Sequence, residues 1–114
     1  MATYRVTQRV GGKVERETAD ALDSALGSLE RRARELEAEA PGRAVGGALI
    51  SRFEPVQQVV GRVELAGPRR LRAGVDVRGD GSAEAYTGRV RRRLVAQRAG
   101  ESPYDALRRE LARQ

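Results

Sequence analysis

The sequence predicts an α+β fold: an N-terminal β-hairpin, a helix, an antiparallel β-meander of about four strands and a C-terminal helix, with the helices on one face of the sheet. Three observations carry this reading. Apolar and polar residues alternate from Tyr4 to Val10 and break at Gly11-Gly12; leucines and alanines recur every three or four residues from Leu22 to Ala40; short alternating runs return from residue 48, punctuated by Gly-Pro and Asp-Gly.

The first element is a hairpin in which Tyr4, Val6 and Val10 oppose Arg5, Thr7 and Arg9. A three-residue loop, Gly11 to Lys13, would set Val14 opposite Val10 and keep both on the apolar face. The helix that follows is expected over Asp20 to Ala40, capped by Thr18 or Asp20 and ended by Pro41-Gly42. Its apolar stripe is Leu22, Ala25, Leu26, Leu29, Ala33, Leu36 and Ala40, and Glu30 with Arg34 and Arg31 with Glu35 lie four apart on the solvated side.

Beyond the helix, Ala48 to Phe53, Val56 to Ala66, Arg70 to Arg78 and Ala83 to Val95 read as strands, separated by Glu54-Pro55, Gly67-Pro68-Arg69 and Asp80-Gly81. Tyr86, Val90 and Leu94 are also four apart, which would suit a helix over Ser82 to Gln97, but Thr87-Gly88 is poor helix material and strand is preferred. Ser102-Pro103-Tyr104-Asp105 starts the last helix, Pro103 to Arg113, with a cap, a proline in the first position and an acid three residues after the cap. Tyr104, Leu107 and Leu111 form its core stripe.

Composition narrows the chemistry. A chain of 114 residues is expected to form a single domain whose core needs no metal or disulfide. With no Cys and no His it cannot build a Ser-His-Asp or Cys-His nucleophile system, nor a zinc site with those ligands. Carboxylate chemistry remains, and Asp76, Asp80 and Glu84 are the candidates for a magnesium-dependent enzyme. The run Asp76-Val-Arg-Gly-Asp80-Gly-Ser82 echoes the start of a calcium loop but lacks its later acids, so it reads as a turn. We expect no enzyme activity, no metal and no cofactor. The longest apolar stretch, Ala44 to Ile50, contains two glycines and is too short to span a bilayer; a cytoplasmic protein without a membrane partner is the expectation.

Charge is the most informative feature. From Arg62 to Arg98 ten arginines stand against four acids, whereas residues 1–61 carry nine basic and nine acidic residues and residues 99–114 three of each. A localised surplus points to a polyanionic partner. Twenty-one of the twenty-two basic residues are Arg, whose planar fork binds phosphate bidentately.

With Asp80-Gly81 as a two-residue loop, Val75 faces Tyr86 on the apolar side, and the other side pairs Arg72 with Arg89 and Arg70 with Arg91, extended by Arg93. A three-residue loop at Gly67 to Arg69 would set Glu64 opposite Arg72. Like charges opposed in a ladder are destabilising unless something neutralises them. The candidate binding residues are therefore Arg62, Arg70, Arg72, Arg89, Arg91 and Arg93, contacting the backbone of a nucleic acid, RNA favoured. No aromatic shares that row, which suits structured or duplex RNA better than single strands read by stacking. The alternative is a protein-interaction or structural subunit that docks an acidic partner or assembles as a homo-oligomer. No motif marks a family; the order of elements resembles that of double-stranded RNA-binding domains and ribosome hibernation factors, without the Lys-rich helix start of the former, since Ser102 to Asp105 is acidic.

Overall fold

The computed structural model describes residues 2–46 and 58–113. Its strands are β1 (Tyr4–Val10), β2 (Lys13–Ala19), β3 (Val59–Gly67), β4 (Leu71–Arg78), β5 (Ala83–Thr87) and β6 (Arg93–Leu94), and its helices are α1 (Leu22–Gly46) and α2 (Pro103–Ala112). The strands form one antiparallel sheet in the order β2-β1-β3-β4-β5-β6. This is the expected α+β class, with six strands among the described residues; the run expected as one strand, Ala83 to Val95, divides at Gly88 into β5 and β6. The strand expected at Ala48 to Phe53 lies outside the described residues.

Both helices cover the same face. Val6, Val63, Leu65, Val75 and Val77 point from the sheet into a core closed by Ala25, Leu29, Ala33 and Leu36 of α1 and by Tyr104, Leu107 and Leu111 of α2, all buried. Each such Val or Leu contributes roughly 1.5–3 kcal/mol by leaving water. On β5 the inward residues are Ala83 and Ala85, small because α2 lies over this strand and brings Tyr104 and Leu107 with it.

The first hairpin and the bounds of α1 differ from expectation. The first loop has two residues, so Val10 pairs with Lys13 and Arg9 with Val14, and Val14 turns to the outer face. The reason is that the inner side of β2 is polar: Arg32 of α1 reaches across to Glu17 (2.8 Å), Glu15 (3.1 Å) and Gln8 (3.0 Å), so Glu15 and Glu17 occupy positions that an apolar pattern would have given to valine. Next, α1 begins at Leu22 with Ala25 N donating to Ala21 O, so Ala21 rather than Thr18 or Asp20 stands at the cap. It also runs through Pro41-Gly42 to Gly46, beyond the expected end at Ala40. The start of α2 is as expected: Ser102 Oγ accepts from Asp105 N (3.0 Å) and Asp105 Oδ2 accepts from Ser102 N (3.1 Å), a reciprocal capping box followed by Pro103.

Candidate nucleic-acid interface

The register of β4 against β5 differs from the expected one and decides the site. Val77 pairs with Ala83, Asp76 with Glu84, Val75 with Ala85 and Gly74 with Tyr86. Arg78 N donates to Ser82 O at 2.8 Å, so the loop is Gly79 to Gly81, one residue longer than expected, with Gly81 in the left-handed conformation typical of three-residue hairpin loops (φ 86°). A slip of one residue exchanges the faces of β5. Tyr86 therefore lies on the outer face, and Ala83 and Ala85 face the core.

The outer face can be read in rows from the strand register. Thr18, Arg5, Ala66 and Arg72 form one; Arg16, Thr7, Glu64, Gly74 and Tyr86 the next; Val14, Arg9, Arg62, Asp76 and Glu84 the third. The directly opposed arginines are thus Arg9 and Arg62, not Arg72 with Arg89 or Arg70 with Arg91. Acids one row or one strand away relieve them. Arg9 bonds to Glu64, Arg62 donates to both oxygens of Asp76 (2.6 and 3.4 Å), and Arg78 bonds to Glu84 (2.7 Å). Hydrogen bonding to Asp76 raises the pKa of Arg62 above its ordinary value. Glu64 stands opposite Gly74, so it does not shield Arg72, as the three-residue turn had suggested.

Tyr86 is packed flat on the sheet. A Cβ at Gly74 would lie 2.4 Å from its hydroxyl oxygen and 2.6 Å from Cζ, so only glycine leaves room for the ring. Above it sit the guanidiniums of Arg92 (4.4 Å to the ring centroid) and Arg62 (5.9 Å), and the ring is 4% exposed. Burial pushes the phenol pKa up, against the pull of the two arginines. The tyrosine thus serves as a base plate for arginines and offers no face for stacking.

Past Thr87 the ladder ends. Gly88 adopts φ 92°, and a side chain there would meet Arg91 O at 2.6 Å; its N–H donates to Arg72 O (2.8 Å), and the chain turns back through Arg89 to Arg92 before β6. Arg89 and Arg91 are therefore loop residues rather than members of a ladder, and Arg93 pairs with Thr87 in β6. Arg70 sits in the turn between β3 and β4.

Two clefts gather these residues. The first, about 350 Å³ on the outer face, is lined by Arg5, Arg9, Arg16, Arg72, Arg89 and Arg92, with Tyr86 as part of its wall and Glu64 as its acid. The second, about 230 Å³ at the end of the sheet, is lined by Arg69, Arg70, Arg72, Arg91 and Arg93. Of the six expected residues, Arg72 and Arg89 meet in the first cleft, Arg70, Arg72, Arg91 and Arg93 in the second, and Arg62 is engaged by Asp76. Among the described residues, no acid lies within ion-pair distance of Arg5, Arg16, Arg72 or Arg89.

Sequence reasoning missed Arg5, Arg16, Arg92 and Tyr86. The available signal was Gly74, a glycine inside an otherwise regular strand, which often marks a site where another group approaches closely.

The carboxylates considered for magnesium are occupied: Asp76 by Arg62 and, at 4.0 Å, Arg92; Glu84 by Arg78; Asp80 by the backbone and hydroxyl of Ser82. Among the described residues no three such donors gather. Nor is any described helix long and apolar enough to cross a membrane. Comparison with protein-family models, curated proteins and solved structures finds no match to this chain.

Proposed function

We propose that this chain is a non-catalytic nucleic-acid-binding module that holds the phosphate backbone of structured or duplex RNA across the outer face of its sheet. The observation that supports it is the convergence of Arg5, Arg16, Arg72 and Arg89 on one cleft, none of them paired with an acid among the described residues, while neighbouring Glu64 and Asp76 are engaged by other arginines. Arg5 and Arg72 lie two strands apart and Arg16 and Arg72 three, which at ~4.8 Å per strand spreads the cations over about 10–14 Å. That breadth matches a rigid backbone better than a single anionic side chain. Phosphate contact gives affinity without sequence reading, and no exposed aromatic is found among the described residues to stack bases.

The test is fluorescence anisotropy of labelled single-stranded RNA, duplex RNA and duplex DNA over a range of salt, with an Arg72→Glu/Arg89→Glu variant alongside. Four neutralised phosphates give a slope of log affinity on log salt of about −3 to −4, at ~0.7–0.9 per contact. Duplex or structured RNA should bind best, and the folded variant should lose binding. Absence of binding by the unmodified protein at about 50 mM salt would refute the proposal.

A second reading, a protein-interaction or structural subunit, is favoured by one observation. Val90 and Leu94, 90% and 66% exposed, lie in the 88–92 loop and on edge strand β6. Sedimentation of Val90→Ser/Leu94→Ser beside the unmodified protein tests it: an assembly that dissociates in the variant supports a homo-oligomer.

A further inference from the structure

The cleft at the end of the sheet differs in kind from the outer face. Its five arginines come from three places: Arg69 and Arg70 from the β3–β4 turn, Arg72 from β4, and Arg91 and Arg93 from the returning chain. Among the described residues no carboxylate lines it. Arg72 Nη1 donates to Leu71 O (2.8 Å), and among the described residues the other four have no ion-pair partner. On the outer face the cations alternate with acids, as suits a diester backbone carrying one charge per phosphate. Here five cations surround a space of about 230 Å³, which is more positive charge than one diester neutralises.

The backbone of the turn adds an independent observation. Leu71 N donates to Pro68 O at 3.2 Å, closing a turn whose two central residues both have left-handed φ, 59° at Arg69 and 61° at Arg70. Such turns favour glycine or asparagine at these positions. Two arginines hold them instead, each strained, and strain of this kind concentrates where the side chain has a task.

We propose that this cleft binds a phosphate monoester dianion, either the terminal phosphate of the strand lying on the outer face or a free phosphate ester. A monoester carries about −1.5 to −2 charges near pH 7 and three acceptor oxygens, which several arginine forks can engage together. Arg72 lines both clefts, so a strand on the outer face can deliver its end to the turn. The terminal-phosphate form rests on the RNA-binding reading above; the free-ester form does not.

The experiment compares one RNA with 5′-phosphate, 3′-phosphate or hydroxyl ends, in anisotropy from pH 5.5 to 7.5, with inorganic phosphate titrated separately while the arginine side-chain NMR signals are followed. The variant is Arg69→Gly/Arg70→Gly, which removes two cations where glycine suits the backbone, so loss of fold does not confuse the result. A phosphorylated end should bind about tenfold tighter than hydroxyl ends at pH 7.5. That preference should shrink toward pH 5.5 as the monoester takes up its second proton near pH 6. The chain has no histidine, and the groups facing the anion are the five arginines. In the variant the preference should collapse to within about twofold.

RNA that binds regardless of its end, with no effect of inorganic phosphate on the signals of Arg69, Arg70, Arg91 and Arg93, overturns the monoester site and leaves the outer-face reading standing. If no RNA binds but inorganic phosphate shifts those signals, the RNA reading falls and the free-ester form is supported.

Discussion

Substituting Gly74 by Ala tests the register on which the proposed interface depends. The added methyl would approach Tyr86 Oη, Cζ and Cε2 at 2.4, 2.6 and 2.9 Å, against a carbon contact distance of ~3.5–4.0 Å. The ring is rigid and the offending atoms span half of it, so it must lift by more than ~1 Å or rotate away. Lifting disturbs the Arg92 and Arg62 contacts, worth ~0.5–1 kcal/mol each at a partly exposed site. Overpacking of this kind costs ~1–3 kcal/mol, offset by the ~0.5–1 kcal/mol that Ala returns over Gly in a strand. The net expectation is a loss of about 1–3 kcal/mol, read in urea as a midpoint lowered by about 1 M with the slope unchanged. A cycle isolates the cause. Tyr86→Ala alone should destabilise by about 2–4 kcal/mol, yet adding Gly74→Ala to it should cost nothing or stabilise, a coupling of at least ~1–2 kcal/mol. Additive effects, or a neutral Gly74→Ala in the unmodified background, would show that Tyr86 does not lie over Gly74 and that the outer-face assignment of β5 is wrong.

Other outcomes follow from named contacts. Asp76→Asn frees Arg62 and Arg92 on the outer face, so RNA affinity should rise about three- to tenfold with a salt slope steeper by ~0.7–1.8, while the fold loses about 1–2 kcal/mol; unchanged binding would exclude these arginines from the interface. Glu101 accepts from Arg109 Nε and Nη2 (both 2.9 Å) and from Arg98 N (2.7 Å), and the Arg109 guanidinium beside it holds its carboxyl down to about 2. Because the folded pKa is depressed, this stabilisation is complete above the unfolded value of 4.5 and is lost as pH falls through about 2. Glu101→Gln should therefore lower stability at pH 7 and flatten that part of the acid-denaturation curve. Arg69→Gly/Arg70→Gly exchanges two left-handed arginines, at ~1–2 kcal/mol each, for glycines costing ~0.5–1 kcal/mol each in chain entropy. Calorimetry should show a midpoint unchanged or raised by up to about 8 °C; a marked fall would mean that the arginine side chains hold the turn together.

The elements were legible in the sequence because their signals were local: the capping box at Ser102, the leucine stripe from Leu22 to Leu36, and the alternation of β1. Register was not, because at Gly11-Gly12 and Asp80-Gly81 a two-residue and a three-residue loop both left a plausible apolar face, and at Pro68 a three-residue loop could slide by one residue. At Asp80-Gly81 the size of Tyr86 suggests an inward position, although the space over β5 is filled by Tyr104 and Leu107 of α2, which begins sixteen residues after the strand ends. Nothing near β5 in sequence reports that. At Gly11-Gly12 the valine was likewise preferred inside, where the positions instead hold Glu15 and Glu17 for Arg32. In both cases the helix packed over the strand, α2 over β5 and α1 over β2, decides which residues face it.

Helix α1 also explains why the proposed interface reaches beyond the arginine-rich third of the chain. By count, residues 1–61 are neutral. In space they are not, because Glu15 and Glu17 turn inward to meet Arg32 while Arg5, Arg9 and Arg16 alternate outward on the same two strands. Period-two geometry separates charges that a sum along the sequence cancels. The arginine-rich third undergoes the reverse: Arg62 and Arg78 are neutralised locally by Asp76 and Glu84. The cations of the outer face without an acid partner among the described residues thus come from both halves of the sheet, with β1 and β2 supplying Arg5 and Arg16 and β4 and the loop after β5 supplying Arg72 and Arg89. Docking the N-terminal hairpin against β3 is then what completes the positive surface. Reversing Arg5 and Arg16 should consequently weaken RNA binding as strongly as reversing Arg72 and Arg89, although they lie in the segment whose charges sum to zero.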